Sequence, residues 1–188
     1  MLEYEKKVLL TKNEYVMLAD KYIGLTVESQ VNYYFDTDDL YMNRNGISCR
    51  IRAKKGRYKT TIKNHGSKGL NCRLEEDIYE GDEFDSSIFD ALGLHFQGRL
   101  VTKRTVLHRD AFCEVVLDRN SYLGYEDFEI EAEYVKGYEK IALNHLRRLA
   151  ESLVAAGLVD SVENFLRRVG KDKPKSERFF DCKRAEGR

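Results

Sequence analysis

Tryptophan is absent from this chain, and proline occurs once, at Pro174. Little therefore interrupts a regular element before the C-terminal stretch. The four cysteines, Cys49, Cys72, Cys113 and Cys182, form no C-x-x-C pair. That spacing excludes a zinc knuckle or a disulfide framework and leaves buried free thiols as the expectation. No sign of charge dominates: 32 basic residues face 32 acidic ones, for a net charge of zero. This argues against a general nucleic-acid binder or a membrane-surface binder. No apolar run is long enough to span a bilayer, and the charged opening from Glu3 onward is not that of a secretory leader, so the expected location is the cytoplasm.

What the chain does have is ionisable side chains, 34% of its 188 residues. Zero net charge at that density means the two signs are segregated or closely paired. The length suits one domain with a sizeable core. In Glu3-Tyr4-Glu5-Lys6-Lys7-Val8-Leu9-Leu10, strand periodicity puts Glu3, Glu5 and Lys7 on one face and Tyr4, Val8 and Leu10 on the other. One such strand is usually a solvated sheet face, but the pattern recurs along the chain. Arg50, Arg52 and Lys54 alternate with Cys49, Ile51 and Ala53. Lys59, Thr61 and Lys63 share a face, as do Arg73, Glu75 and Asp77. Thr102 and Arg104 share another, Glu114 and Asp118 flank Val116, and Glu129, Glu131 and Glu133 stand opposite Phe128, Ile130, Ala132 and Tyr134.

Between these strands lie helical signals. Thr11 with Glu14 forms a capping box for a helix over about 12–23, ended by Gly24. Further helices are expected from Asp82 or Asp85 to Leu92, over about 138–156, and from Ser161 or Val162 to Val169. Lys55-Gly56-Arg57 reads as a hairpin turn, and the segments 66–69 and 120–127 read as loops. The expected organisation is one domain over residues 1–170, followed by a charged, loosely held tail over 171–188.

About eight strands in hairpin order imply an α+β fold: a mainly antiparallel eight-stranded β-barrel. If the charged faces look inward, the apolar outer faces need cover, and the amphipathic helices supply it. A lumen lined by Lys7, Arg50, Arg52, Lys59, Lys63, Arg73 and Arg104 cannot be dry, because unpaired buried charge is prohibitive. It must be wet and hold a polyanion. Glu3, Glu5, Glu129 and Glu131 are too many to serve only as ion-pair partners, and oxygen-only ligand sets suit Mg2+ or Mn2+.

These residues, in this order, resemble the CYTH domains, the triphosphate tunnel metalloenzymes. Glu3-x-Glu5-x-Lys7 resembles the family signature. The likeness continues through Tyr33-Tyr34-Phe35-Asp36-Thr37, Arg50-Ile51-Arg52, Lys59 to Lys63, Arg73-Leu74-Glu75, Glu114 with Leu117-Asp118, and Asp127-Phe128-Glu129-Ile130-Glu131. The resemblance implies an eight-stranded tunnel that binds a triphosphate with Mg2+ or Mn2+. Under it, Glu3, Glu5, Glu129 and Glu131 hold metal; Arg50, Arg52, Lys59, Lys63, Arg73 and Arg104 hold phosphates; Lys7 positions or deprotonates the attacking water. Glu75 and Asp77 orient basic residues, Glu114 and Asp118 serve either purpose, and Glu133 divides between tunnel rim and solvent. One departure is Thr102, where the family often has a lysine; Lys103 has the opposite parity and could replace it only on a bulged strand.

The expected activity is divalent-metal-dependent hydrolysis of a triphosphate, first of all inorganic triphosphate, since nothing announces a base or thiazole pocket. A class IV adenylyl cyclase or a thiamine triphosphatase would use the same tunnel. A non-catalytic polyphosphate-binding module is the rival of another class, and Lys7 with both acidic pairs argues against it. Monomer and homodimer both stay open.

Overall fold

The computed structural model describes residues 2–64 and 72–186, with the side chains of 2, 3 and 72–75 outside the description. In chain order the elements are β1 (Leu2–Leu10), α1 (Lys12–Lys21), β2 (Val27–Asp36), α2 (Tyr41–Arg44), β3 (Ile47–Lys54), β4 (Arg57–Asn64) and β5 (Cys72–Gly81). There follow α3 (Ser87–Ala91), β6 (His95–Arg109), β7 (Cys113–Tyr122), β8 (Tyr125–Tyr134), α4 (Glu139–Ala155), α5 (Val162–Leu166) and α6 (Lys175–Glu186). The strands close into an antiparallel barrel in the order β1-β5-β4-β3-β2-β6-β7-β8. β1 completes the ring. It runs beside β8 from Tyr4↔Tyr134 to Leu10↔Phe128, and its first residues meet β5 from Leu2↔Leu74 to Tyr4↔Cys72.

Local chemistry sets the connections. Thr11 caps α1 through the Glu14 amide at 3.2 Å, and the Glu14 carboxylate accepts the Thr11 amide at 2.6 Å, which is the capping box read from the sequence. β3 turns into β4 through Lys55 and Gly56, at φ 52° and 77°. β7 turns into β8 through Leu123 and Gly124, at φ 46° and 74°. Two consecutive positive φ angles make two-residue hairpins whose twist matches the flanking strands. The second corrects the expected 120–127 loop: Asn120↔Asp127 and Tyr122↔Tyr125 are paired within the ladder. The expected 66–69 loop lies outside the described residues.

Outside the barrel, Val8, Val115, Leu117, Ile130 and Ala132 pack against Leu18 of α1, Leu146, Leu149 and Leu153 of α4, and Phe165 of α5. On the β2–β3 side, Phe35, Cys49 and Ile51 pack against Leu94 and against Phe89 of α3. α3 is shorter than the helix expected up to Leu92. The helices thus cover the apolar faces as anticipated, but unevenly: Phe84 and Phe96 stay 44% and 57% exposed over Tyr33.

Within the expected 171–188 tail, residues Lys175–Glu186 form α6. α6 caps one end of the barrel, where Phe179 and Phe180 are 0% and 1% exposed against Tyr34, Leu40, Leu100 and Tyr122. Burying two phenylalanines contributes roughly 1.5–3 kcal/mol each, enough to outweigh the charge of the surrounding sequence. Gly98 of β6 makes the fit possible. Its φ is 142°, and a Cβ there would lie 2.8 Å from Phe179 Cζ. Gly98→Ala is therefore expected to lower stability by about 1–3 kcal/mol through strain and overlap. Thermal unfolding checks this, and an unchanged midpoint would show that α6 yields freely.

Candidate active site

Alternation along each strand turns the charged faces inward. One cavity in the lumen is lined by Glu5 and Lys7 of β1, Arg50 and Arg52 of β3, Lys63 of β4, Arg104 of β6 and Glu131 of β8. All seven are residues singled out from the sequence. The wall also includes Tyr34, Ser48 and Glu133, and the floor is Pro174, Lys175 and Ser176 at the start of α6. Arg52 is oriented by donating from Nε to Asn32 Oδ1 at 2.9 Å.

The carboxylates of β8 run from α6 outward as Asp127, Glu129, Glu131 and Glu133. Glu129 is 0% exposed, Glu131 is 7% exposed, and Glu133 reaches solvent at the rim. Asp118, Glu129 and Glu131 bring carboxylate oxygens within 4.8 Å of one another. Cations already meet them. Arg104 makes a two-pronged bond to Asp118 at 2.9 and 2.7 Å and reaches Glu131 at 2.6 Å. Lys175 Nζ lies 2.6 Å from Asp118, 2.8 Å from Glu129 and 3.1 Å from Glu131. Arg178 joins Asp127 at 2.8 Å to Glu129 at 3.1 Å. Asn120 donates to Asp127 and Glu129 at 2.8 and 3.0 Å, and Tyr122 donates to Asp127 at 2.6 Å.

This charge pairing governs the titration. Burial would raise the Glu131 carboxyl, but Lys175, Arg104 and Lys7 hold it well below the ordinary carboxylate range. Burial likewise opposes ionisation of Asp127, and the bonds from Arg178, Tyr122 and Asn120 overcome it.

The remaining sequence candidates lie elsewhere. Lys59 pairs with Asp77 at 2.7 Å, and both are more than a third exposed, so Lys59 is not part of the cavity wall. Glu114 accepts from Arg109 Nε at 2.7 Å across the β6–β7 turn. Glu129 is inside but is engaged by α6 rather than lining the cavity. Glu3, Arg73 and Glu75 have side chains outside the described residues. Thr102 is fully buried and donates to Asn120 at 2.7 Å, whereas Lys103 is exposed. The register shift of β6 against β7 falls between Val106 and His108, so no bulge turns Lys103 inward.

Lys175 and Arg178 were missed by sequence reasoning because 171–188 was read as a tail. A signal was present. Pro174 opens a helix, and Lys175, Arg178, Phe179 and Cys182 recur at helical spacing.

A family model of the CYTH domain matches residues 1–150. The Bacillus subtilis protein YjbK, which carries the name of a triphosphatase, is 32% identical over 154 residues, spanning 73% of this chain and 80% of YjbK. A Bacillus halodurans structure named as an adenylate cyclase superposes with a TM-score of 0.65 at 26% identity, covering 95% of this chain and 97% of that one. HpAC1 from Hippeastrum, named as an adenylyl cyclase with a dominant triphosphatase activity, shares the fold at a TM-score of 0.61 and 13% identity, covering 96% and 95% of the two chains.

The network also sets acid stability. Folded Glu131 and Asp127 ionise below their ordinary values of 4.5 and 3.8. Their contribution is therefore whole above those values and drains away as pH falls through the lower, folded ones. Denaturant unfolding should show stability falling steadily from about pH 4.5 downward, and less steeply in Asp127→Asn. A flat profile from neutral pH to pH 3 would contradict the pairing.

Proposed function

The chain belongs to the CYTH domain family, and we propose that it is a divalent-metal-dependent triphosphatase that hydrolyses inorganic triphosphate inside the barrel. The observation that carries this reading is the cavity itself: Lys7, Arg50, Arg52, Lys63 and Arg104 converge with Glu5 and Glu131 on one cavity in the lumen. A linear polyanion of three phosphates suits that density of cations. Among the described residues, Tyr34 is the one aromatic ring lining it, and it belongs to the packed end under α6, which favours a substrate with no ring to stack. The name carried by YjbK supports hydrolysis over cyclisation.

The donor chemistry fits a hard divalent ion. Glu5, Glu131 and Glu133 offer carboxylate oxygens on the cavity wall beside the phosphate-binding cations, the all-oxygen set that Mg2+ or Mn2+ prefers. Such an ion, when bound, would supply further positive charge to the phosphate oxygens. Arg50 and Arg52 present planar guanidinium groups that grip phosphate oxygens in pairs, and Lys63 adds a point charge. These fixed charges stabilise a loose phosphoryl-transfer transition state by position and field rather than by covalent chemistry. Lys7 is 4% exposed and opposite Glu131 in the ladder, and its role in this reading is to position or deprotonate the attacking water. In this reading the protein is a cytoplasmic enzyme acting on a small molecule.

Phosphate release should be measured over inorganic triphosphate, thiamine triphosphate and ATP, with Mg2+, Mn2+ or excess chelator. The expected result is turnover of inorganic triphosphate above the other two, abolished by chelator and restored by either ion. Cyclic AMP as the main product from ATP would overturn the hydrolase assignment, and full turnover in chelator would overturn the metal requirement.

A further inference from the structure

Asp118, Glu129 and Glu131 form the most compact group of carboxylates among the described residues and would, by geometry alone, invite a metal ion. We infer that Lys175 is a resident cation that stands there in place of a metal, so that divalent ions are confined to the carboxylates nearer the open rim. This rests on the metal-dependent reading above and narrows it, because it moves Glu129 from the metal ligands to the residues that hold α6.

An ammonium has three protons to donate, and Lys175 Nζ has one carboxylate oxygen from each of the three acids at 2.6, 2.8 and 3.1 Å. Its bonding capacity is filled. The charges also balance. Asp118, Asp127, Glu129 and Glu131 carry four negative charges, and Arg104, Lys175 and Arg178 supply three positive ones, with Lys7 acting on Glu131 as a fourth. A divalent ion entering this group would have to displace the ammonium and would leave a surplus of positive charge in a closed space.

Lys175 is not free to step aside. Its side chain is 11% exposed, Pro174 restricts the backbone before it, and Phe179, Phe180 and Arg178 anchor the helix just beyond it. The rim side differs: Glu133 reaches solvent, and Glu5 lies opposite it in the ladder. Ions can arrive there together with the substrate.

Counting bound Mn2+ tests the inference. The full chain, Asp118→Asn and Lys175→Met would be titrated calorimetrically and by the paramagnetic resonance of free Mn2+, with and without inorganic triphosphate. The parent and Asp118→Asn should bind the same number of ions. Lys175→Met should bind one more, and Mn2+ should raise its melting temperature by several degrees more than that of the parent. Loss of an ion in Asp118→Asn, or a folded Lys175→Met that gains none, would overturn the inference. If Lys175→Met folds only when Mn2+ is added, that rescue supports it; if it folds under neither condition, the Asp118→Asn count decides. A parent chain that binds no Mn2+ even with triphosphate would contradict the metal-dependent reading, and Lys175 would then be judged on the ion gained by its methionine variant.

Discussion

An ionised side chain removed from water costs several kcal/mol unless an opposite charge and hydrogen bonds replace its hydration. The barrel is built around that constraint. Inward-facing positions of its strands carry carboxylates, ammonium groups and guanidinium groups, so the interior cannot be the dry core that a barrel of this size would otherwise fill with aliphatic side chains. Toward α6 the constraint is met internally. Arg104, Lys175 and Arg178 satisfy Asp118, Asp127, Glu129 and Glu131 in one continuous network. Toward the rim, cations of β1, β3 and β4 gather on an accessible cavity. The same chemistry thus yields a rigid floor at one end and a cation-lined cavity at the other.

The hydrophobic effect works on the outside of this molecule. The apolar faces of β1, β7 and β8 are buried under α1, α4 and α5, while the stopper of Phe179 and Phe180 seals the network from solvent. Exclusion of water from the floor strengthens every ion pair in it, because charges interact more strongly at low effective dielectric. The phenylalanines and the salt bridges of α6 therefore support one another: the rings keep the network dry, and the network fixes the pitch at which the rings enter.

The eight strands and the inward parity of Glu5, Lys7, Arg50, Arg52, Lys63, Arg104 and Glu131 were legible in the sequence, because alternation on a strand has a period of two and admits no compromise between faces; the pairings β1–β5, β2–β6 and β1–β8 that close the ring were not. Parity says nothing of depth. Glu129 and Glu131 look equivalent in sequence, yet the first is held by Lys175 and Arg178 and the second also lines the cavity. Lys59 has the right parity and still ends near the surface with Asp77. α6 was hidden for a different reason. Its residues are so highly charged that composition argued for a solvated tail, and its charges become sensible only when the carboxylates they meet are known. The β7–β8 turn was hidden by Asn120 and Asp127, which suggest a loop in isolation but are inward members of the ladder.

In the proposed function a triphosphate lies in the lumen, on the rim side of the α6 floor. A crystal grown with inorganic triphosphate and Mn2+, and measured at the manganese absorption edge, tests this directly. Phosphate density is expected between Arg50, Arg52 and Lys63, with anomalous peaks beside Glu5 and Glu131. Triphosphate bound on the outer surface of the barrel, with the lumen holding only water, would contradict it.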